Sequence, residues 1–253
     1  MVDTMMCAHN GSSFCLQKVS YRYGHGTRVL NDVSAYISAG ATALVGENGA
    51  GKTSLMRVMA SLLAVDSGTV GVDGVPLSRK MIGEYRTHIG WMPQDIPVIS
   101  GFTVRESVAY HAWLGKVPRQ QSDKWVQQAL AQVHLIELED RKASSLSGGQ
   151  LRRLGLAQAL VRGADWLLLD EPTAGLDPRQ KRSLALLLQE LRAHVNYVIS
   201  THDFDYFEEL FDQVVVLHEG RILWQGSTSD YLSIAGGATQ TAAFDAFNAI
   251  LDR

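Results

Sequence analysis

Cysteine is scarce. Cys7 and Cys15 are the chain's two, and their spacing matches no metal-ligand or redox pattern. A disulfide-stapled scaffold is thereby excluded, and both are read as reduced, inert thiols. No run of roughly 18 apolar residues occurs, so no segment reads as a membrane-spanning helix. Charge of either sign is not in excess: the net charge is -3 and the isoelectric point about 6.2. No basic field invites nucleic acid and no polybasic run invites anionic lipid. Between Met1 and Ser13 no cationic stretch leads into an apolar one, so no signal peptide is expected there. Internal repeats and low-complexity linkers are absent. The eight histidines are scattered, and all but one read as surface or packing residues.

What is present is a core. The chain has 253 residues, 46% of them hydrophobic, enough for one large α/β domain or two small ones. Strand-like runs with turns cover Phe14 to Ile37, with Tyr21 and Tyr23 in an alternating stretch and Gly24 to Thr27 as a turn. Ala41 to Val45 is a short strand. Val70 to Pro76 reads as a hairpin arm turning at Asp73-Gly74, and His88 to Met92 as a short strand ending at Pro93. From Thr103 to about Arg162 the pattern is helical: Thr103 with Glu106 forms a capping box, Ser122 is expected to start a second helix through Val133, and Gly115 to Pro118 separates the two. Trp166 to Leu169 is the continuous apolar run of a buried parallel strand. Helix Pro178 to Ala193, strand Tyr197 to Ser200, helix Asp203 to Phe211, strand Val214 to Leu217 and a hairpin through Glu219-Gly220 into Arg221 to Gln225 complete the core. The tail from Thr239 to Leu251 sets Ala243, Phe247, Ile250 and Leu251 at helical spacing, a face read as packing on the domain. The expectation is an α/β fold: a mainly parallel sheet with crossovers, and a helical lobe inserted between Gln94 and Gly163.

The most informative stretch is Gly46-Glu47-Asn48-Gly49-Ala50-Gly51-Lys52-Thr53-Ser54. It lies between the strand ending at Val45 and an amphipathic run from Leu55 to Leu63. Strand, glycine turn and helix are the context a phosphate-binding loop needs. The backbone curls so that N–H groups form an anion cradle, and the helix adds its positive end. Lys52 is expected to reach the β- and γ-phosphates and Thr53 to bind Mg²⁺.

Further elements follow in order: Leu146-Ser147-Gly148-Gly149-Gln150 at a helix start, Asp170-Glu171-Pro172 after the apolar strand, Ala174-Gly175-Leu176-Asp177, and Ser200-Thr201-His202-Asp203 at a strand end. Gln94 sits between loop and helical lobe, and Tyr23 lies upstream, next to Gly24. In these motifs, over about Phe14 to Gln225, the chain resembles the ATPase subunit of an ATP-binding cassette (ABC) transporter. The resemblance implies a P-loop, RecA-like core with an N-terminal antiparallel β subdomain and an inserted helical subdomain. The expected domains are a flexible 1–13, a nucleotide-binding domain over 14–234 with its helical subdomain at about 95–163, and a helical tail over 235–253.

Asp170, ending a buried strand, is expected to hold Mg²⁺, with Thr53 and Gln94 as further ligands. Glu171 is the expected general base, worth about 10²–10⁴-fold in rate. The resemblance makes His202 a γ-phosphate contact that orients the water, and Tyr23 an adenine stack, although Tyr21 or Tyr23 also fits a half-buried strand position. Ser147, Gly148, Gly149 and Gln150 form a second anion site, which the resemblance directs at the γ-phosphate of a partner chain, head to tail, with Asp177 at the same interface. The expected cofactors are ATP and Mg²⁺. The expected partners are a second nucleotide-binding domain, identical or not, and separate transmembrane permease subunits, docked near Ile96 to Tyr110; nucleic acid is not expected. The implied location is the cytoplasmic face of the membrane, held peripherally. Ala174-Gly175 and Leu151-Arg152-Arg153-Leu154 resemble bacterial drug and peptide efflux ATPases, so export is the leading expectation. Import is the alternative, and a soluble ABC ATPase acting on nucleic acid a further one.

Overall fold

The computed structural model describes residues 13–24, 26–204, 207–236 and 241–252. Residues 1–12, including Cys7, lie outside them, as does Thr239. Strands β1 (Phe14–Arg22) and β2 (Arg28–Ile37) open the chain, and β3 (Ala41–Val45) runs into helix α1 (Lys52–Met59). Then come β4 (Ser67–Val72), β5 (Val75–Pro76), α2 (Ile82–Tyr85) and β6 (Ile89–Met92). Helices α3 (Val104–Leu114), α4 (Arg119–Gln132) and α5 (Gly148–Leu160) follow without an intervening strand. The chain closes with β7 (Trp166–Asp170), α6 (Pro178–Leu191), β8 (Asn196–Thr201), α7 (Phe207–Leu210), β9 (Gln213–His218), β10 (Arg221–Ser227), α8 (Thr228–Ser233) and α9 (Ala242–Leu251). This is the expected α/β fold, with its antiparallel N-terminal sheet and helical insertion. Two compact units form, one from the described residues up to Gly83 and from Val198 onward, the other from Glu84–Tyr197.

The first unit holds two sheet regions. One is antiparallel in the order β2-β1-β4-β5, with Phe14 opposite Ile37 on one side and Val72 on the other. Its β4–β5 turn has Asp73 at φ 52° and Gly74 at φ 76°. Both values are left-handed, as the Asp-Gly pair in a two-residue hairpin demands. In the other region β3 runs parallel to β9, from Thr42 opposite Gln213 to Val45 opposite Val216, and β10 folds back antiparallel on β9. Every residue of β3 is buried, Thr42 included, which is why it reads as small and apolar without alternation. At the tail, α9 buries Ala243, Phe247 and Ile250, and the buried Tyr231 hydroxyl donates to the Ala243 carbonyl at 2.7 Å. Leu251 is half-buried.

In the second unit β6 pairs parallel with β7, Ile89 opposite Trp166 through Met92 opposite Leu169. Helix α5, buried from Leu154 to Leu160, lies close over this pair. A Cβ on Gly90 would come within 2.6 Å of the Ala159 carbonyl oxygen, so only glycine permits the approach. Thr103 and Glu106 form the expected capping box at α3, with Glu106 N donating to Thr103 Oγ1 at 3.1 Å and Thr103 N to Glu106 Oε2 at 2.7 Å.

Three boundaries differ from the sequence reading. Helix α4 starts at Arg119, not after Ser122, because Pro118 takes the cap position and accepts from Ser122 N at 3.1 Å. Proline fixes the φ that such a start requires. Helix α1 stops at Met59 instead of Leu63, where Ser61 turns left-handed at φ 55°. The helix expected over Asp203 to Phe211 is the short α7: Asp203 N instead donates to Thr201 Oγ1 at 2.8 Å, closing a turn that competes with helix. Residues 205 and 206 lie outside the described residues. The sequence reading also missed α2 and α8, both short.

Leu168→Ala tests the second unit's core. Leu168 is fully buried in β7, so the change is expected to lower stability by about 2–5 kcal/mol, read as a fall in the urea midpoint.

Candidate functional site

Each unit carries its own group of the residues singled out above. In the first, β3 delivers the chain to Gly46 and α1 begins at Lys52, so the glycine turn is held at both ends. A Cβ on Gly46 would lie 2.3 Å from the Leu217 carbonyl oxygen. Gly49 at φ 85° and Gly51 at φ 104° adopt backbone values that L side chains rarely reach. Ala50 is pinned from two sides: its N–H donates to Glu47 O at 3.2 Å, and its carbonyl accepts from Gly220 N at 2.9 Å. The hairpin turn at Glu219-Gly220 thus serves to brace the loop.

Lys52 is 6% exposed, and its Nζ donates to Gly46 O at 2.7 Å and Glu47 O at 3.0 Å. The ammonium is therefore folded across the loop that it serves. An ammonium offers three donors, so this arrangement places a compact positive charge at the start of α1, where the helix end adds to it. Glu47 Oε2 lies 3.3 Å from His218 Nδ1, and Asn48 is exposed. Thr53 is half-buried, and Ser54 is buried with its Oγ 3.2 Å from the Tyr23 hydroxyl. Tyr23 is 46% exposed and stands edge-on to Tyr21, ring centroids 4.9 Å apart. Of the two tyrosines, Tyr23 is thus the one tied to the loop. His202 is exposed just past β8, in the turn closed by Thr201 and Asp203.

In the second unit, Asp170 ends β7 at 2% exposure, and Glu171 follows at φ 46°. A non-glycine residue held in the left-handed region costs of order 1–3 kcal/mol and persists where its surroundings over-determine it. Gln94 Nε2 donates to Glu171 Oε2 at 3.3 Å, so the structure brings these two candidates together. Arg152, which the sequence reading gave no site role, reaches the same place. Its Nη1 donates to the Gln94 carbonyl and its Nη2 to the Ala174 carbonyl at 2.8 Å. Both acceptors are backbone atoms, which no side-chain pattern reveals.

Ser147 caps α5: its Oγ accepts from Gln150 N at 3.4 Å while Gln150 Oε1 accepts from Ser147 N at 3.0 Å. Both side chains of the expected anion site are thus engaged in a capping box. Among the described residues none requires these glycines to be small. A Cβ on Gly148 would meet nothing closer than Leu176 Cδ2 at 3.6 Å, and one on Gly149 nothing closer than Gln180 Cγ at 3.5 Å, both ordinary contacts. Gly148 is exposed. Asp177 caps α6, its Oδ1 accepting from Gln180 N at 2.8 Å, with Pro178 in the first helical position.

The donor set also bears on Mg²⁺. Among the described residues no group of three or more His, Cys, Asp and Glu side chains could hold a metal ion by itself. Mg²⁺ characteristically keeps waters and is bound through one or two carboxylates plus substrate phosphates. Asp170 in the second unit and Thr53 in the first each carry an oxygen of the hard kind that this ion takes.

Known proteins resemble this chain along most of its length. The family model described as ABC transporter matches residues 30–174. The methionine import ATP-binding protein MetN of Carboxydothermus hydrogenoformans is 33% identical over 219 residues, 84% of this chain and 65% of that protein. The phosphate import ATP-binding protein PstB 2 of Natronomonas pharaonis is 35% identical over 225 residues, 82% of this chain and 78% of that protein. Among solved structures, cbiO1 of Clostridium perfringens, described as part of the ABC transporter complex cbiONQ, superposes with a TM-score of 0.80 at 32% identity, covering 88% of this chain and 92% of that one.

Asp177 is both a helix cap and a candidate interface residue, and two substitutions separate these roles. Asp177→Ala is expected to lose about 1 kcal/mol of stability with the cap, whereas Asp177→Ser keeps the cap and the melting temperature. If ATPase activity falls in the serine variant while its melting is unchanged, the side chain acts beyond α6.

Proposed function

The chain belongs to the ABC transporter family as an ATP-hydrolysing subunit, and from that premise we propose that it powers import of a solute through separate membrane subunits. The efflux resemblance of Ala174-Gly175 and Leu151 to Leu154 is not confirmed. Relatives named for import of methionine and phosphate favour the opposite direction. Among the described residues no helix is long and apolar enough to cross a membrane. The passage for solute is therefore assigned to partner subunits, with this chain held peripherally at the cytoplasmic face. The placement of cbiO1 in a transporter complex supports such partners.

In this reading the nucleotide-binding domain covers 14–234, with a helical subdomain at about 95–163 and a tail at 235–253. Tyr23 stacks on the adenine ring. The backbone of Gly46 to Ser54 and the ammonium of Lys52 bind the phosphates. Thr53, Asp170 and Gln94 hold Mg²⁺, which, when bound, neutralises charge on the β- and γ-phosphate oxygens. Glu171 accepts a hydrogen bond from the attacking water and draws on its proton as the oxygen approaches the γ-phosphorus. His202 donates to a γ-phosphate oxygen and fixes the water's line of approach.

One observation carries the further claim that two such domains act together. Gly148 and Gly149 open the 13-residue α5 with no neighbour among the described residues that needs them small. Their smallness then serves something arriving from outside. The exposed start of a helix fits an anion, and the chain's one phosphate loop is elsewhere in sequence. The γ-phosphate of a head-to-tail partner's ATP meets this description. ATP then closes the dimer and hydrolysis releases it.

Glu171→Gln is expected to bind ATP and form a long-lived dimer, with turnover reduced about 10²–10⁴-fold. Gel filtration with and without ATP, alongside phosphate release, checks this. A monomeric variant with normal turnover overturns the assignment. For direction, the complex with its membrane subunits in liposomes should accumulate solute on the side where this chain sits; accumulation on the opposite side restores export.

A further inference from the structure

Arg152 is the second residue after the Leu146–Gln150 stretch, on α5, and its guanidinium leaves the helix to reach two loops. It donates to the Gln94 carbonyl with Nη1 and to the Ala174 carbonyl with Nη2, the second at 2.8 Å. Gln94 lies in the loop after β6, just past Pro93, and Ala174 lies in the turn between Glu171 and Asp177. The Gln94 side-chain amide in turn donates to Glu171 Oε2 at 3.3 Å. A single fork therefore joins the helix of the serine–glycine stretch, the Gln94 loop and the turn that leaves Glu171.

We infer that Arg152 is a positioning residue for hydrolysis: by holding the Gln94 and Ala174 carbonyls together, it sets the Gln94 amide against Glu171 and the backbone of the turn on the far side of that glutamate. The inference rests on Glu171 as the base.

The chemistry favours arginine here. Its planar guanidinium presents donors in a fixed fork and spans two separated acceptors, which the single ammonium of lysine does not. The group is half-buried, so the bonds are less diluted by water than surface ones. Burial lowers its pKa, and the Asp95 and Glu171 carboxylates nearby work against that loss of charge. Glu171 at φ 46° is held in a conformation that it would not adopt unsupported. The bonds of Arg152 fall on both sides of this strained residue in sequence, at Gln94 through its amide and at Ala174 through the turn. Arg153, the next residue, does something different. It bonds to Val133 O at 3.3 Å and Ser183 Oγ at 2.8 Å, neither of them in the Gln94 loop or the turn after Glu171, and so serves as an internal comparison.

The test measures kcat and KM for ATP on the full chain, with ATP affinity from a fluorescent nucleotide and folding from circular dichroism. Arg152→Ala is expected to lower kcat about 10- to 100-fold, the scale of a misplaced catalytic group, with KM and ATP affinity within about twofold of wild type. If the effect passes through the Gln94 amide, Gln94→Ala with Arg152→Ala should be no slower than the slower single variant. A wild-type kcat in Arg152→Ala, a KM that rises with the fall in kcat, or fully multiplicative losses in the double variant each overturns the proposal. Should Arg152→Ala not fold, Arg152→Lys decides in its place: a kcat at least about threefold lower with unchanged ATP affinity upholds the fork, and a wild-type kcat refutes it. Glu171→Gln keeps the two readings apart. If it turns over normally, the base assignment falls and this inference with it; if it is inactive while Arg152 variants are normal, only this inference falls.

Discussion

A polyphosphate concentrates negative charge that a protein interior cannot tolerate unless donors are already aimed at it. The chain meets this constraint with backbone geometry first and side chains second. The loop after β3 is forced into its curl by glycines at left-handed angles and by carbonyls from the neighbouring strand end. Lys52 is bonded to two of the loop's own carbonyls, so its charge is fixed in place before any ligand arrives. Preorganisation of this kind avoids ordering the donors at the moment of binding. The rest of the first unit, with its buried β3 and β9, is the rigid frame that makes the curl reproducible.

The second unit solves a different problem with the same means. Helices α5 and α6 begin at Ser147 and Asp177, and each start is capped by its own side chain. A capped start keeps its remaining N–H groups exposed and oriented without melting the first turn. The residues that the sequence offers as candidates for a site are thus also those that keep their helices intact. Ser147 and Gln150 illustrate the overlap, since their reciprocal bonds define the shape of the surface that they offer.

Much of this was legible in the sequence because it depends on residue type. Asp73-Gly74 specifies a hairpin, Thr103 with Glu106 a cap, and Trp166 to Leu169 a buried strand, each through local chemistry that other parts of the chain do not override. The glycine loop is legible for the same reason. What was not legible depends on backbone atoms or on competition between caps. Pro118 displaced Ser122 as the start of α4, and the Thr201–Asp203 turn displaced a helix start. The two carbonyls that hold Arg152 carry no residue identity at all. The export reading of Ala174-Gly175 is not confirmed, since relatives named for import share the fold and the family.

The left-handed backbone at Glu171 also bears on durability. Asparagine and glycine relax most easily into such angles, while glutamate does not. Replacement of Glu171 by either of those two residues would relieve the strain and raise stability at the expense of the acid. A carboxylate on a long side chain held at these angles therefore carries a conformational cost that asparagine or glycine would lower.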